Sequence, residues 1–215
     1  MVEMKVLGSH EEWLRARTKI GGSDASAIVG MNPYKTNVDL FKEKAYGIEP
    51  EDISDKPYVK YGTAAEKHLR ELFKLDYPQY QVGYVENNMF TNDKYQWAHA
   101  SLDGWLLDPD GRKGVWECKT TNILQSRQKE KWDHRIPDNY YIQVLHYLMV
   151  TEFDFVVLKA QLKSEFNGDV YLQTRHYKVD RSEVEEDIQY LIDAERDFWE
   201  CVQVKKEPPL ILPEI

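Results

Sequence analysis

The stretch Gly114–Asn122, GVWECKTTN, reads as a β-strand that carries charge on one side. Successive strand side chains alternate faces, so Glu117 and Lys119 share one face while Trp116 and Cys118 occupy the other. Immediately upstream, DPDGRKG (108–114) is a hairpin connection: Pro109 presets one turn angle and Gly111 supplies another that other residues resist. A turn centred near Asp110 sets Asp103, in SLDGW (101–105), opposite Glu117. A slip of one residue would swap the faces, so everything built on this pairing depends on register.

Two carboxylates opposed across a hairpin repel each other unless something positive lies between them. A divalent cation meets that need, because Mg²⁺ is held by one or two carboxylates together with waters and phosphate oxygens. Lys119, on the same face, would add a positive charge near an attacking water or a developing phosphorane. Read alone, Glu117-Cys118-Lys119 is an ordinary charged pair on a solvated strand; Asp103 at hairpin-opposite spacing gives the charges a reason to converge.

Outward from the hairpin, the middle of the chain is rich in β-formers and turn residues. YQVGYVENNMFTND, YQWAHASLDGWLLD and KGVWECKTT predict a meander of antiparallel strands. Before it, HEEWLRAR predicts a short helix, and GGSDASAIVG a Gly turn with a Ser or Asp cap and a small-residue helix closed by Gly30. TNVDLFKEKAYG predicts a helix capped by Thr36 or Asn37 and stopped by Gly47. After an acidic loop from Pro50 to Pro57, Tyr61, Ala65, Leu69 and Leu72 recur at helical spacing. Beyond the hairpin come a basic segment, a helix opened by Pro137, strands in FDFVVLKAQL and DVYLQTRHYKV, and a long helix from about Ser182 to Val204. The expected class is α/β (α+β), a central mixed sheet with an antiparallel hairpin, flanked by helices.

With no internal repeat or long linker, residues 1–215 read as a single domain. The two cysteines, Cys118 and Cys201, and an opening without a signal-peptide pattern lead us to expect a reducing cytoplasm. No apolar run nears the roughly 20 residues a bilayer requires, so no membrane partner is expected. The net charge of -9 opposes simple phosphate-backbone binding. Its source is local, however: nine acids between Asp180 and Glu200 face only Arg181 and Arg196, whereas Lys119 to Arg135 holds five basic residues against two acids. His68, His99, His134, His146 and His176 show no zinc spacing, and neither cysteine has a CxxC partner, so zinc and iron-sulfur sites are not expected.

Asp103 followed by Glu117-Cys118-Lys119 resembles the D…(D/E)xK core of the restriction-endonuclease-like nucleases. The likeness extends along the chain. WLRARTKIGGSDASAIVGMNPY, YGTAAEKHLRELF, ASLDGWLLD, VWECKTT and YYIQVLHYLMV occur in the order of the phage-type, YqaJ-like recombination nucleases, the group containing lambda exonuclease. FWECVQVKKEPPL resembles that family's closing helix and proline.

The resemblance implies a restriction-endonuclease-like core and Mg²⁺-dependent 5′ to 3′ degradation of one strand of duplex DNA from an end to mononucleotides, with Mn²⁺ expected to substitute. It implies a metal held by Glu66, Asp103, Glu117 and the Cys118 backbone carbonyl, with Lys119 and Gln143 orienting or activating water. Glu66 on pattern alone is a helix glutamate sharing a face with Leu69 and Phe73; Gln143 is a polar residue between Tyr140 and Tyr147 on the Pro137 helix. The resemblance further gives Arg17, Ser23 and Ser101 to the terminal 5′-phosphate. The Arg-to-Ser interval is one residue shorter than the family's, which leaves Arg15 and Lys19 as alternatives to Arg17. The implied assembly is a toroidal homotrimer, and the implied partners are double-stranded DNA ends and a single-strand annealing protein in phage or prophage recombination. A related nuclease that cuts internally or with other polarity, and a catalytically silent DNA-end-binding module, are the alternatives.

Overall fold

The computed structural model describes residues 1–212. Its first part comprises β1 (Val2–Val6), α1 (His10–Ala16), α2 (Gly22–Ile28), α3 (Asn37–Tyr46) and α4 (Pro57–Asp76). The middle contributes β2 (Gln81–Gly83), β3 (Asn88–Asn92), β4 (Gly104–Leu107), β5 (Lys113–Asn122), α5 (Ser126–Glu130) and α6 (Asp138–Thr151). Last come β6 (Phe155–Phe166), β7 (Asp169–Asp180) and α7 (Glu185–Gln203).

Five strands form a mixed sheet in the order β2–β4–β5–β6–β7. The β5–β6 pair is parallel, with Trp116 opposite Val157 and Lys119 opposite Ala160; the other neighbours are antiparallel. A parallel pair requires a crossover, and α5 with α6 supplies it. On β4–β5 the register sets Gly104 against Trp116 and Leu107 against Lys113, as the hairpin chemistry of Asp108 to Gly111 predicts. Gly111 takes φ +81°, the left-handed conformation that the turn demands of it.

The expected meander is corrected in one respect. β3 leaves the main sheet and pairs with β1 in a separate two-stranded sheet, Met4 opposite Phe90, and YQWAHAS contributes only bridges such as Phe90 to Ala100. Strand propensity was read correctly there, but tertiary pairing chose another partner.

Each face of the main sheet is covered by helix. Val115, Val156, Leu158 and Ala160 share a core with Val144, Leu145, Leu148 and Met149 of α6. From the other face Trp116, Phe155 and Val157 pack with Leu69 and Phe73 of α4. Leu69 and Phe73 are therefore the buried members of the α4 stripe, while Leu72, placed on it by spacing, is 50% exposed. α2, α3 and α7 meet through Ile28, Leu40, Phe41, Phe198 and Val202. The final helix starts later than Ser182 because Arg181–Glu183 forms a 3₁₀ turn. Strand alternation thus directs Glu117 and Lys119 toward α6, and Trp116 and Cys118 toward α4.

Candidate active site

The β4–β5 ladder ends at Gly104 and Trp116, and Asp103 follows it by one position. Asp103 Oδ2 accepts the Cys118 backbone N–H at 3.0 Å, which turns its carboxylate toward β5. Glu117, 2% exposed, comes within hydrogen-bonding reach of that carboxylate. Lys119 Nζ stands 2.7 Å from Glu117 Oε1, as same-face positions on a strand require. Gln143 of α6 donates to the same Oε1 at 3.2 Å and to the Tyr147 hydroxyl at 2.6 Å. It is buried, so a solvated position is excluded, and its carboxylate partner is Glu117.

Electrostatics show how strongly the carboxyls oppose one another's charge. Burial and then the neighbouring Asp103 push Glu117 up to about 8, and the same two causes push Glu66 up to about 7. Asp103 is raised as well, chiefly by burial. Burial alone would lower Lys119, but Glu117, Tyr147 and Asp103 outweigh it and raise the ammonium. Glu117 Oε2 has no hydrogen-bond partner unless one of the facing carboxyls carries a proton. Repelling carboxylates with an unsatisfied buried oxygen fit a divalent cation, which needs only one or two carboxylates with waters and phosphate oxygens. Among the described residues, no group of three or more His, Cys, Asp or Glu is gathered closely enough to hold an ion unaided. The donor set therefore suits a hydrated metal centred on Asp103 and Glu117, with Glu66 to one side.

A cavity of about 400 Å³ opens beside these carboxylates. Glu66, Asp103 and Gln143 line it together with Arg17, Ser23 and Ser101. The sequence-level ambiguity at Arg15, Arg17 and Lys19 is thereby reduced: Arg17 reaches the cavity with its guanidinium 4.6 Å from the Trp13 ring, whereas Arg15 is outside it, paired with Glu11. Trp13 Nε1 donates to Ser101 Oγ at 2.9 Å, leaving the serine hydroxyl proton for another acceptor. Ser23 is exposed in the first turn of α2. The predicted Ser or Asp cap is corrected here, because Gly21 is the N-cap and Asp24 accepts its N–H at 3.1 Å from inside the helix. Lys44 fixes that turn, bonding Asp24 at 2.8 Å and the Lys19 carbonyl at 2.9 Å. Gly22 permits α2 to approach α6, since a Cβ there would lie 2.5 Å from the Tyr147 ring.

Three lining residues escape sequence reasoning. Trp13 resembles any amphipathic-helix aromatic, and Tyr84 any strand-end tyrosine. His99 is buried against Gly21, and burial holds its imidazole down to about 3 and hence neutral. Arg70, which does not line the cavity, carried a signal in its i,i+4 spacing from Glu66, with which it pairs at 3.0 Å.

The model of the YqaJ-like viral recombinase domain matches residues 12–154, which include every candidate site residue. The chain belongs to the YqaJ-like viral recombinase domain family. Among its relatives is protein YqaJ of Bacillus subtilis (strain 168), itself described as uncharacterized, at 30% identity over 195 residues. That match takes in 89% of this chain and 56% of the relative, so the chain spans little more than half of that protein's length. Solved structures share the fold. An alkaline exonuclease (LHK-Exo) from Laribacter hongkongensis aligns with a TM-score of 0.63 at 17% identity, over 91% of this chain and 96% of that one. A phage related exonuclease from Haemophilus somnus 129PT aligns with a TM-score of 0.57 at 13% identity, over 87% and 96%. In this YqaJ-like domain the α/β sheet, the hairpin and the flanking helices are thus those of a known architecture.

Proposed function

We propose that this chain is a metal-dependent deoxyribonuclease that degrades one strand of duplex DNA from its ends, 5′ to 3′, to mononucleotides. The observation that carries the reading is the buried Glu117 carboxylate against the half-buried Asp103, with Lys119 at 2.7 Å from Glu117, beside a cavity lined by Arg17, Ser23 and Ser101. Family membership supports it, as does the shared fold with two exonucleases, one of them also crystallised in complex with dAMP.

Asp103, Glu117 and the Cys118 backbone carbonyl would hold Mg²⁺, or Mn²⁺ in its place, with Glu66 bonded to it directly or through water. When bound, the ion would lower the pKa of a coordinated water and neutralise charge on the scissile phosphate. Lys119, held by Glu117, lends positive charge where the phosphorane oxygens develop. Gln143 fixes the Glu117 carboxylate through Oε1, while Oε2 is buried without a hydrogen-bond partner. Arg17, Ser23 and the free Ser101 proton would take the terminal 5′-phosphate, which selects a strand end over a continuous backbone. No helix among the described residues is long and apolar enough to cross a membrane. We assign the protein to the cytoplasm of a bacterial host, as a toroidal homotrimer partnered by a single-strand annealing protein in phage recombination.

The deciding experiment digests linear duplexes bearing 5′-phosphate or 5′-hydroxyl ends, and closed circles, with and without Mg²⁺. Mononucleotides from phosphorylated linear ends are expected. Equal attack on closed circles would overturn the exonuclease reading in favour of an endonuclease, and metal-independent or absent cleavage would overturn the catalytic one.

A further inference from the structure

Arg70 is an unusual helix residue. It is 5% exposed, although it sits on a 20-residue helix whose other basic residues face solvent or its edge. An exposed i,i+4 Glu–Arg pair contributes little and needs no burial. Arg70 has been drawn inward by two further contacts. Its Nη1 donates to Glu66 Oε1 at 3.0 Å and to the Asp103 backbone carbonyl at 2.6 Å. Its guanidinium carbon stands 3.6 Å from the centroid of the Tyr84 ring, with the Trp116 ring at 6.0 Å.

We infer that Arg70 is the positioning residue that sets the spacing of Glu66 from Asp103, with Tyr84 as the flat support that orients its guanidinium. The inference rests on the metal-dependent reading above. Glu66 comes from α4 and Asp103 from the start of the β4–β5 hairpin, and Arg70 is bonded to both. The Cys118 N–H fixes the Asp103 carboxylate, while Arg70 fixes the backbone that bears it. Arg70 also occupies Glu66 Oε1, so Oε2 is the oxygen left for the cavity that Glu66 lines. Both bonds leave from Nη1, so what matters here is the plane of the guanidinium: a lysine offers a point charge on a flexible stem and cannot stack on Tyr84 in the same way. Outer-sphere residues that orient ligands typically account for 10–100-fold in metal affinity when replaced.

The test measures Mn²⁺ affinity of the full chain by calorimetry and by the paramagnetic resonance of free Mn²⁺, with circular dichroism and melting curves as fold controls. Arg70→Lys keeps the charge and alters the geometry, so it isolates positioning from electrostatics. It is expected to weaken Mn²⁺ binding about tenfold or more, while the cleavage rate at saturating Mn²⁺ recovers toward wild type. Tyr84→Leu, at a position 39% exposed, removes the flat support and is expected to weaken binding in the same direction. Tyr84→Phe keeps the ring face and is expected to bind as wild type. A folded Arg70→Lys protein with wild-type Mn²⁺ affinity would overturn the inference; should that variant not fold, wild-type affinity in Tyr84→Leu would do so. A wild-type protein that binds no Mn²⁺ would remove the metal reading and this inference together, whereas unchanged variants beside a binding wild type remove this inference alone.

Discussion

The backbone N–H of Cys118 donates to Oδ2 of Asp103 at 3.0 Å, carrying the hairpin contact one position past the last ladder pair, Gly104 and Trp116. This bond converts a register into a site. It holds the Asp103 carboxylate against Glu117, so two acids that would repel in water are confined where a cation or a proton must compensate them.

Under the proposed metal-dependent function, metal binding would be coupled to proton release. Burial and Asp103 raise Glu117 from 4.5 to about 8 and Glu66 from 4.5 to about 7. Between those limits the folded, metal-free protein retains protons that the unfolded chain has released, so its stability falls as pH rises through that window. On the proposed metal-dependent reading, Mg²⁺ would displace those protons. Calorimetry in two buffers of different ionisation enthalpy is expected to show proton release, with apparent affinity climbing between about pH 6 and pH 8. Glu117→Gln is expected to flatten the stability slope of the metal-free protein. An affinity independent of pH across that range would count against these carboxylates as ligands.

Lys119 is expected to matter for rate far more than for folding. Removing its ammonium leaves Glu117, whose raised pKa lets it take up a proton at neutral pH rather than remain an unpaired buried charge. Lys119→Ala is expected to melt within a few degrees of wild type and to lose on the order of 10²–10³ in cleavage rate at saturating Mg²⁺. Undiminished metal-dependent cleavage by the folded variant would refute the role.

Much of this was legible because it is local. Strand alternation put Glu117 and Lys119 on one face, and turn chemistry at Pro109 and Gly111 fixed the register within a few residues. The β1–β3 pairing was hidden: apolar and polar residues do alternate along Val2–Val6, but the run is only five residues long, four of them are exposed, and its partner lies far along the chain. The pairing of Arg70 with Glu66 was legible from its i,i+4 spacing, but the burial of Arg70 was hidden for a related reason. An arginine on an amphipathic helix reads as solvated, and only Asp103 and Tyr84, brought in by the fold, give it a reason to be buried.

The terminal phosphate is expected to be read by the cavity and not by the neighbouring exposed cation. Arg17→Ala and Ser101→Ala should each reduce the preference for 5′-phosphate over 5′-hydroxyl ends by roughly 10–100-fold, the effect of losing a charge-assisted hydrogen bond worth roughly 1.5–3 kcal/mol. Arg15→Ala, whose guanidinium is paired with Glu11 outside the cavity, should leave the preference unchanged. Competing digests of end-labelled duplexes measure the ratio directly. Loss of the preference in Arg15→Ala but not in Arg17→Ala would reverse the assignment.

Behind the cavity, His146 and Glu195 form a fully buried pair at 2.6 Å that joins α6 to α7. His146 Nε2 bonds the His99 carbonyl at 2.9 Å, and Trp97 donates to Glu195 at 3.2 Å, so the pair anchors the segment that carries His99 to the cavity wall. Burial opposes charge on His146, but Glu195 and the His99 carbonyl outweigh it and raise the imidazole above 6.5. A raised histidine contributes stability that is complete below its unfolded value and is lost as pH rises through the folded one. Breaking a buried pair costs about 3–5 kcal/mol. Glu195→Gln is therefore expected to lower the melting temperature most near pH 6, with the gap from wild type narrowing as pH rises. A gap that stays constant or widens from pH 6 to pH 9 would mean that the imidazole in the folded protein is neutral throughout, and that the pair holds α6 to α7 as a simple hydrogen bond.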